Sequence, residues 1–421
     1  MDVYLAGGVF LGAYALIASE RVDRTIVALL GGLLVIVLGV ISQEEAFAAI
    51  DFNVVFLLAG MMILAGGLKK TGFFEFLAGE AIHLSRGEPF RLLVILALVT
   101  AGLSALLDNV TTVVLLTPVT LSIARILQVS PLPYLMSQIM ASNIGGTATL
   151  IGDPPNILIG SAAGLDFGEF LVNLAPVVVV IMIAFLVILR LLFANSMQDD
   201  VDRLDALAKL DPRAEIRDGP LMARALIVLG LTIAGFIAHS ALGVEAATVA
   251  LLGATVLMIV GPLDPHEALR DIEWHTLFFF VGLFMLVEGV VKVGIVGGVA
   301  DALADATGGR LDIATIALLW SSALASAVVD NIPYTATAIP VVERLIDGGL
   351  RADPLWWSLA LGACLGGNLT IVGASANIVV ANLAARDGHP ITFMQFFRLG
   401  FVVVLVSLAI STIYLWLRYL L

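Results

Sequence analysis

The chain repeats itself at a fixed spacing, and that duplication limits its folds more than any other feature. "VALLGGLLVIVLGV" from Val27 matches "VALLGATVLMIVGP" from Val249, 222 residues on. Glu45-Ala46 matches Glu267-Ala268, and Gly60, Lys70 and Gly72 match Gly282, Lys292 and Gly294. Asp108-Asn109 matches Asp330-Asn331, and Pro118 matches Pro340, all at the same offset. The offset then becomes 221: Gly145-Gly146 pairs with Gly366-Gly367, Gly152 with Gly373, and Asn156 with Asn377. A register held over so long a stretch makes the chain a tandem duplication.

The repeated unit is oily. Of 421 residues, 60% are hydrophobic and 13% charged, and the mean hydropathy is +1.06. A soluble domain is about half apolar and about a quarter charged. Many runs reach the ~18 residues that cross a bilayer, and none alternates as an outer-membrane strand does. The sequence describes an all-α polytopic membrane protein. Spans fall near 3–19, 24–42, 53–68, 131–163 and 170–194, then near 222–240, 245–261, 274–291, 355–384 and 396–420. The first, Tyr4–Ala18, has no basic n-region and no small-residue cleavage site, so it is expected to be a retained helix. The hydrophilic segment Ala194–Gly219 reads as a linker with a short surface helix. The expected organisation is an N-terminal repeat (1–194), a cytoplasmic linker (195–220) and a C-terminal repeat (221–421).

Composition also excludes. The net charge of −13 is scattered over loops, and no basic patch would hold nucleic acid. The single cysteine, Cys364, rules out a disulfide framework and a multi-thiolate metal site, and it is expected to be an inert buried thiol. The five histidines show no ligand spacing. No cofactor is implied, and no nucleophile–base pair suggests an enzyme.

Two apolar stretches, 90–127 and 313–347, are each broken midway by the Asp-Asn pair. They either cross the bilayer or form re-entrant hairpins with tips at Asn109 and Asn331. If they are hairpins and the N-terminus is outside, sixteen Lys and Arg are cytoplasmic. Only Lys292, Arg310, Arg344, Arg351 and Arg418 are then outside, the bias that the positive-inside rule asks for. Each repeat has five crossings, so the repeats are inverted and both termini lie outside the plasma membrane. Glu288 and Lys292, four apart, are expected to pair at the interface.

Irregular backbone survives at membrane depth only where protein or water satisfies it, and transporters build their sites from such breaks. The chain has four. Two are the tips, Asp108-Asn109-Val110-Thr111-Thr112 and Asp330-Asn331-Ile332-Pro333. Two are interrupted spans, "ASNIGGTATLIGDPPNILIG" (Ala141–Gly160) and "GACLGGNLTIVGASANIVV" (Gly362–Val380). Gly145, Gly146 and Gly152 permit an unwound backbone, and Pro154-Pro155 blocks a continuous helix. Freed carbonyls with Asn143, Thr147, Thr149 and Asn156 offer oxygens to a cation or a polar substrate. Gly366, Gly367, Gly373, Asn368, Thr370, Ser375 and Asn377 are the matching set.

Asp108 and Asp330 are expensive near a bilayer centre unless protonated, paired or bound to an ion. They either couple transport to protons or cations, or cap the second arm of each hairpin. The two roles are compatible. Asp153, whose repeat partner is Ala374, is either a third site carboxylate or a cap. The site is expected to be two-sided, with Asp108 facing Asn143, Thr147 and Asn156, and Asp330 facing Asn368, Ser375 and Asn377.

The motifs "NIGGTATLIGDPPNILIG" and "SALASAVVDNIPYTATAIP…GACLGGNLTIVGASANIVVA" resemble the arsenite permease and sodium/proton antiporter branch of the ion transporter superfamily. They are most similar to its pink-eyed-dilution-like and bacterial arsenical-pump membrane proteins. The resemblance implies the two-repeat fold of the divalent anion/sodium symporters: homodimers with a scaffold and a transport domain that moves like an elevator. The symporters' tips read Ser-Asn-Thr and help bind sodium, which suggests a sodium at the tips here. The Asp residues at Asp108 and Asp330 depart from that pattern and favour proton coupling, and no site arginine is evident. The resemblance implies proton-driven efflux of arsenite or antimonite, with a soluble ATPase partner if the chain is an arsenical pump. Sodium/proton antiport and an anion pathway or pH-regulating channel are the alternatives.

Overall fold

The computed structural model describes residues 2–19, 21–86, 88–194, 197 and 211–421. Among them are twenty α-helices and no strand. The first half contributes α1 (Asp2–Ser19), α2 (Arg24–Val37), α3 (Gln43–Ala48), α4 (Phe52–Lys70) and α5 (Phe73–Ser85). It continues with α6 (Pro89–Leu106), α7 (Asn109–Ile126), α8 (Leu132–Gly146), α9 (Pro154–Ala163) and α10 (Phe167–Phe193). The second half follows with α11 (Gly219–Leu242), α12 (Ala246–Val260), α13 (Pro265–Arg270), α14 (Trp274–Lys292) and α15 (Ile295–Thr307). Last come α16 (Leu311–Val329), α17 (Asn331–Asp347), α18 (Ala352–Gly366), α19 (Ser375–Arg386) and α20 (Phe393–Leu415). Each helix of the first half has its counterpart ten helices on. The bounds of α3, α4 and α5 recur at the 222-residue offset in α13, α14 and α15. Of the expected linker, residues 197 and 211–220 are described and hold a short 3-10 helix, Pro212–Glu215, that packs on α5; the rest lies outside the described residues.

Local chemistry sets the boundaries. Asp23 accepts the backbone N–H groups of Thr25 and Ile26 and starts α2. Asp51 does the same for Asn53 and Val54 at α4. Ser42 and Glu45 form a reciprocal capping box on α3. The span expected over 24–42 stops at Val37, because Gly39 turns left-handed and Ser42 opens a new helix. α2 has 14 residues, about 21 Å at helical rise, less than the ~30 Å of a hydrocarbon core. Both α5 and α15 were unforeseen: their charged and small residues hide a 13-residue helix that starts at a left-handed glycine, Gly72 or Gly294.

The halves embrace each other. α2 packs along α14, and α12 along α4. A Cβ on Gly60 would stand 2.7 Å from the Ala250 carbonyl carbon, and one on Gly282 would stand 2.4 Å from that of Ala28. These contacts are the same contact with the halves exchanged, and small residues are what let membrane helices approach so closely. Lys70 pairs with Glu267 at 3.0 Å, and Lys292 with Glu45 at 2.5 Å, again exchanged. Such reciprocity is what a two-fold relation between halves produces. The expected Glu288–Lys292 pair is not the one formed. Glu45 reaches Lys292 from α3, where the capping box has already fixed its direction.

Nine described helices are long and apolar enough to cross a membrane. α6 and α7 are joined by Leu107-Asp108, and α16 and α17 by Asp330 alone, so the tips fall where the sequence puts them. The first arm of each hairpin packs on its own half, α6 on α8 and α16 on α18. The second arm packs on the broken helix of the other half, α7 on α19 and α17 on α9. This crossing brings both tips to one place.

Candidate functional site: a buried carboxylate between two hairpin tips

Asp153 lies at that place. It ends the unwound link between α8 and α9 and is fully buried. Asn109, first residue of α7, donates its amide to Asp153 Oδ1 at 3.0 Å. Asn331, first residue of α17, donates to the two carboxylate oxygens at 3.2 and 3.3 Å. One carboxylate therefore joins the tips of both halves. Asp153, whose repeat position holds Ala374, makes no side-chain cap bond to α9 and is instead the carboxylate that both tips touch.

An amide chain extends from this centre. Asn109 Nδ2 also donates to Asn143 Oδ1 at 3.2 Å. Asn143 Nδ2 donates to Asn368 Oδ1 and Asn377 Oδ1, both at 2.9 Å. The expected facing residues therefore need correction. It is Asn109, not Asp108, that meets Asn143. Asn368 and Asn377 meet Asn143 across the halves rather than Asp330.

Both Asp108 and Asp330 cap their arms. Asp108 accepts Thr111 N–H at 2.8 Å, and Asp330 accepts Ile332 N–H at 3.1 Å. Asp330 also accepts the Ser375 hydroxyl at 2.7 Å, as expected. The absence of a site arginine is overturned. Arg24 Nη1 lies 3.3 Å from Asp330 Oδ2, donates to Ser375 Oγ, and its guanidinium sits 5.2 Å from the centre of the Phe279 ring. The charge count had assigned Arg24 to a cytoplasmic loop. The readable signal was Asp23, which caps α2 and so aims its first residue inward.

The freed carbonyls of the breaks are already engaged. Asn156 Nδ2 reaches the carbonyls of Gly146, Thr147 and Thr149, and Asn377 Nδ2 those of Gly367 and Thr370. Asn156 and Asn377 thus brace the unwound links, and Cys364 donates to Asn156 Oδ1 at 3.4 Å. The threonine hydroxyls are likewise committed to backbone: Thr147 to Asn143 O, Thr149 to Ala105 O, and Thr370 to Ala327 O. The last two are repeat mates that tie a hairpin arm to a break. Ser104 and Ser326, neither singled out from the sequence, do the same through Ser142 O at 2.8 Å and Ala363 O at 2.6 Å. Gly145 and Gly366 allow this approach, since a Cβ there would lie 2.6 and 2.5 Å from the Cα of Ala101 and Ala323. Gly152 and Gly373 fold back onto Gly146 and Gly367. Two buried oxygens in the first turn of α7 have no hydrogen-bond partner, Asn109 Oδ1 and Thr112 Oγ1.

A cavity of about 330 Å³ reaches the Asp330-Asn331 tip of the second half (tip 2) and is lined by Asp23, Arg24, His275, Asp330, Ser375 and Asn382. A second, of about 760 Å³, is lined by Asn53, Ile157, Ser161 and Glu245, among others. The two are repeat-related, since Asn53 and Glu245 match His275 and Asp23 at the 222-residue offset.

Comparison with known proteins agrees with this architecture. Over 98% of its length the chain is 47% identical to an uncharacterized transporter of Mycobacterium tuberculosis, covering 97% of that protein. It is 44% identical to the 46 kDa membrane protein of Mycobacterium leprae, covering 98% of each chain. The P protein of Homo sapiens is 35% identical over 98% of this chain, which spans 60% of that longer protein. The solved structure of the Alcanivorax borkumensis YdaH transporter has the same fold, with a TM-score of 0.55, 16% identity, and coverage of 99% of this chain and 98% of that one. A family model described as citrate transporter matches residues 14–362. The chain belongs to that family, CitMHS, of the ion transporter superfamily, and is a membrane transporter.

Proposed function

We propose that the chain is a proton-coupled secondary carrier that exports arsenite or antimonite, with Asp153 exchanging the proton and Asp108 and Asp330 flanking it. The observation that carries this reading is the single buried carboxylate held by an amide from each tip. A carboxylate so placed needs a proton or a cation whenever the site is sealed. The Asp153 carboxylate and the unpartnered Asn109 Oδ1 offer acceptors to the hydroxyls of a small neutral hydroxide. The substrate named by the family is citrate. It would bring three carboxylates to a site holding three of its own, where the one guanidinium is already paired. The hairpins 90–127 and 313–347 then enter from opposite sides of inverted repeats (1–194 and 221–421), and the transport unit moves as an elevator in a plasma-membrane homodimer with both termini outside.

Sodium/proton antiport is the second reading. The unpartnered Asn109 Oδ1 on the amide that holds Asp153, with Thr112 Oγ1 one turn along α7, favours it, since sodium takes oxygen ligands of this kind. Counterflow in proteoliposomes with arsenite, sodium and citrate, side by side, separates the readings. Saturable, pH-dependent arsenite counterflow is the expected result. Counterflow of sodium alone moves the assignment to antiport, and flux without saturation makes the chain a channel.

A further inference from the structure

Asp108 and Asp330 hold equivalent places in the duplication, but their surroundings differ. Asp330 has two side-chain donors, Arg24 and Ser375. At the offsets of the duplication Arg24 corresponds to Ala246 and Ser375 to Pro154. Neither donor has a counterpart beside Asp108, whose side-chain donor is the uncharged Thr111 hydroxyl and whose charged neighbours are the Glu273 and Asp153 carboxylates. The backbones differ too. Asp108 has φ −66° and ψ 154°, whereas Asp330 has φ 85° and ψ 141°, a region that glycine enters freely and aspartate does not. Such a residue keeps its conformation only when its surroundings hold it. The cavities follow suit: the one at Arg24 reaches Asp330, while the lining of its repeat mate does not include Asp108.

We propose that Arg24 is a positioning residue that locks tip 2 onto α2 in one of the carrier's two states, a lock with no counterpart in the first half. This rests on the two-state carrier reading but not on which ion or substrate is carried. Arg24 belongs to a helix wedged along α14, and Asp330 to the hairpin tip that meets Asp153, so the pair joins the part that stays to the part that moves. Asp23 and His275 face the same cavity, and Asp153 acts on Asp330 from across the tip. The Arg24 charge is paired with the Asp330 carboxylate there. A buried carboxylate stripped of its partner is costly, so tip 2 leaves Arg24 only when Asp330 is neutralised or paired anew. The lock therefore favours the state in which the Arg24 cavity is open.

The test uses the full chain in membranes, with Asn382→Cys and Ser161→Cys as separate reporters of the two cavities and a membrane-impermeant maleimide as probe. The buried native Cys364 stays in place as an unfolding monitor. Arg24→Gln should slow labelling at position 382, speed it at 161, and change their ratio by about tenfold or more, and Arg24→Lys should restore much of the difference. Asp330→Asn should reproduce Arg24→Gln, and the double variant should go no further. A merely destabilised protein would label faster at both sites and at Cys364, which overturns the proposal, as does a ratio unchanged within about twofold. Because labelling requires no transport, a failed arsenite assay leaves this result standing, and the reverse also holds.

Discussion

Asp153→Asn separates proton exchange from architecture. The carboxylate accepts from two amides, with contacts of 3.0, 3.2 and 3.3 Å. An asparagine with its oxygen at the Oδ1 place keeps both amides there and loses the Asn331 contact to Oδ2, where that amide now meets a second donor. Hydrogen bonds to a charged group contribute ~1.5–3 kcal/mol net. Losing one should weaken docking of that tip by about ten- to 150-fold. The rest of the site does not depend on this bond. Ser104, Ser326, Thr149 and Thr370 still tie the arms to the breaks, so the fold should survive. Arsenite accumulation driven by a pH gradient should fall to background in proteoliposomes, while exchange at equal pH persists at a reduced rate. Uphill transport by Asp153→Asn at the wild-type rate, with wild-type pH dependence, would refute the assignment of the proton to this group.

Three further outcomes follow from the packing. Gly282→Leu drives a branched side chain into the Ala28 backbone and should cost about 1–3 kcal/mol or more, seen as a lower melting temperature in detergent. The Lys292 hydrogen bond, helped by the Ser42 backbone, pulls the Glu45 carboxyl from its ordinary 4.5 to about 2. The tie between α3 and α14 is therefore fully present above that ordinary value and is lost as pH falls toward 2. Lys292→Gln should accordingly flatten the fall in melting temperature between about pH 5 and about pH 3. The exposed apolar residues Ile26, Leu30 and Leu33 on α2, with Leu252 and Ile259 on α12, form the proposed dimer face. Native mass spectrometry should find dimers, and monomer alone at every detergent level would refute that assembly.

Much of the fold was legible because duplication leaves two records of each element. The paired Asp-Asn tips, the Gly-Gly breaks and the exchanged Lys–Glu pairs all lie at the repeat offset. α5 and α15 were missed because a short helix with Glu75, Glu80 and His83 carries no span-like hydropathy. Within the site, the residue types were legible and their partners were not. Asn156 and Asn377 looked like ligands, yet an amide next to an unwound link finds carbonyls nearer than any substrate. Arg24 was hidden because charge counting assumes that arginines at span ends face water. Here Asp330 offers a buried partner, and Phe279 covers the guanidinium. Asp153 was legible as a candidate third carboxylate, but without a repeat mate its place between the two tips was not.

The central claim is that one carboxylate, shared by the two tips, takes up and gives up the proton. Infrared difference spectroscopy of the full chain in membranes, with isotope-labelled aspartate and arsenite as the added ligand, reads that event directly. The account predicts a protonated-carboxyl band that changes when arsenite is added, shifts with the aspartate label and disappears in Asp153→Asn. A band that persists unchanged in that variant, or no carboxyl change at any pH at which arsenite binds, would contradict it.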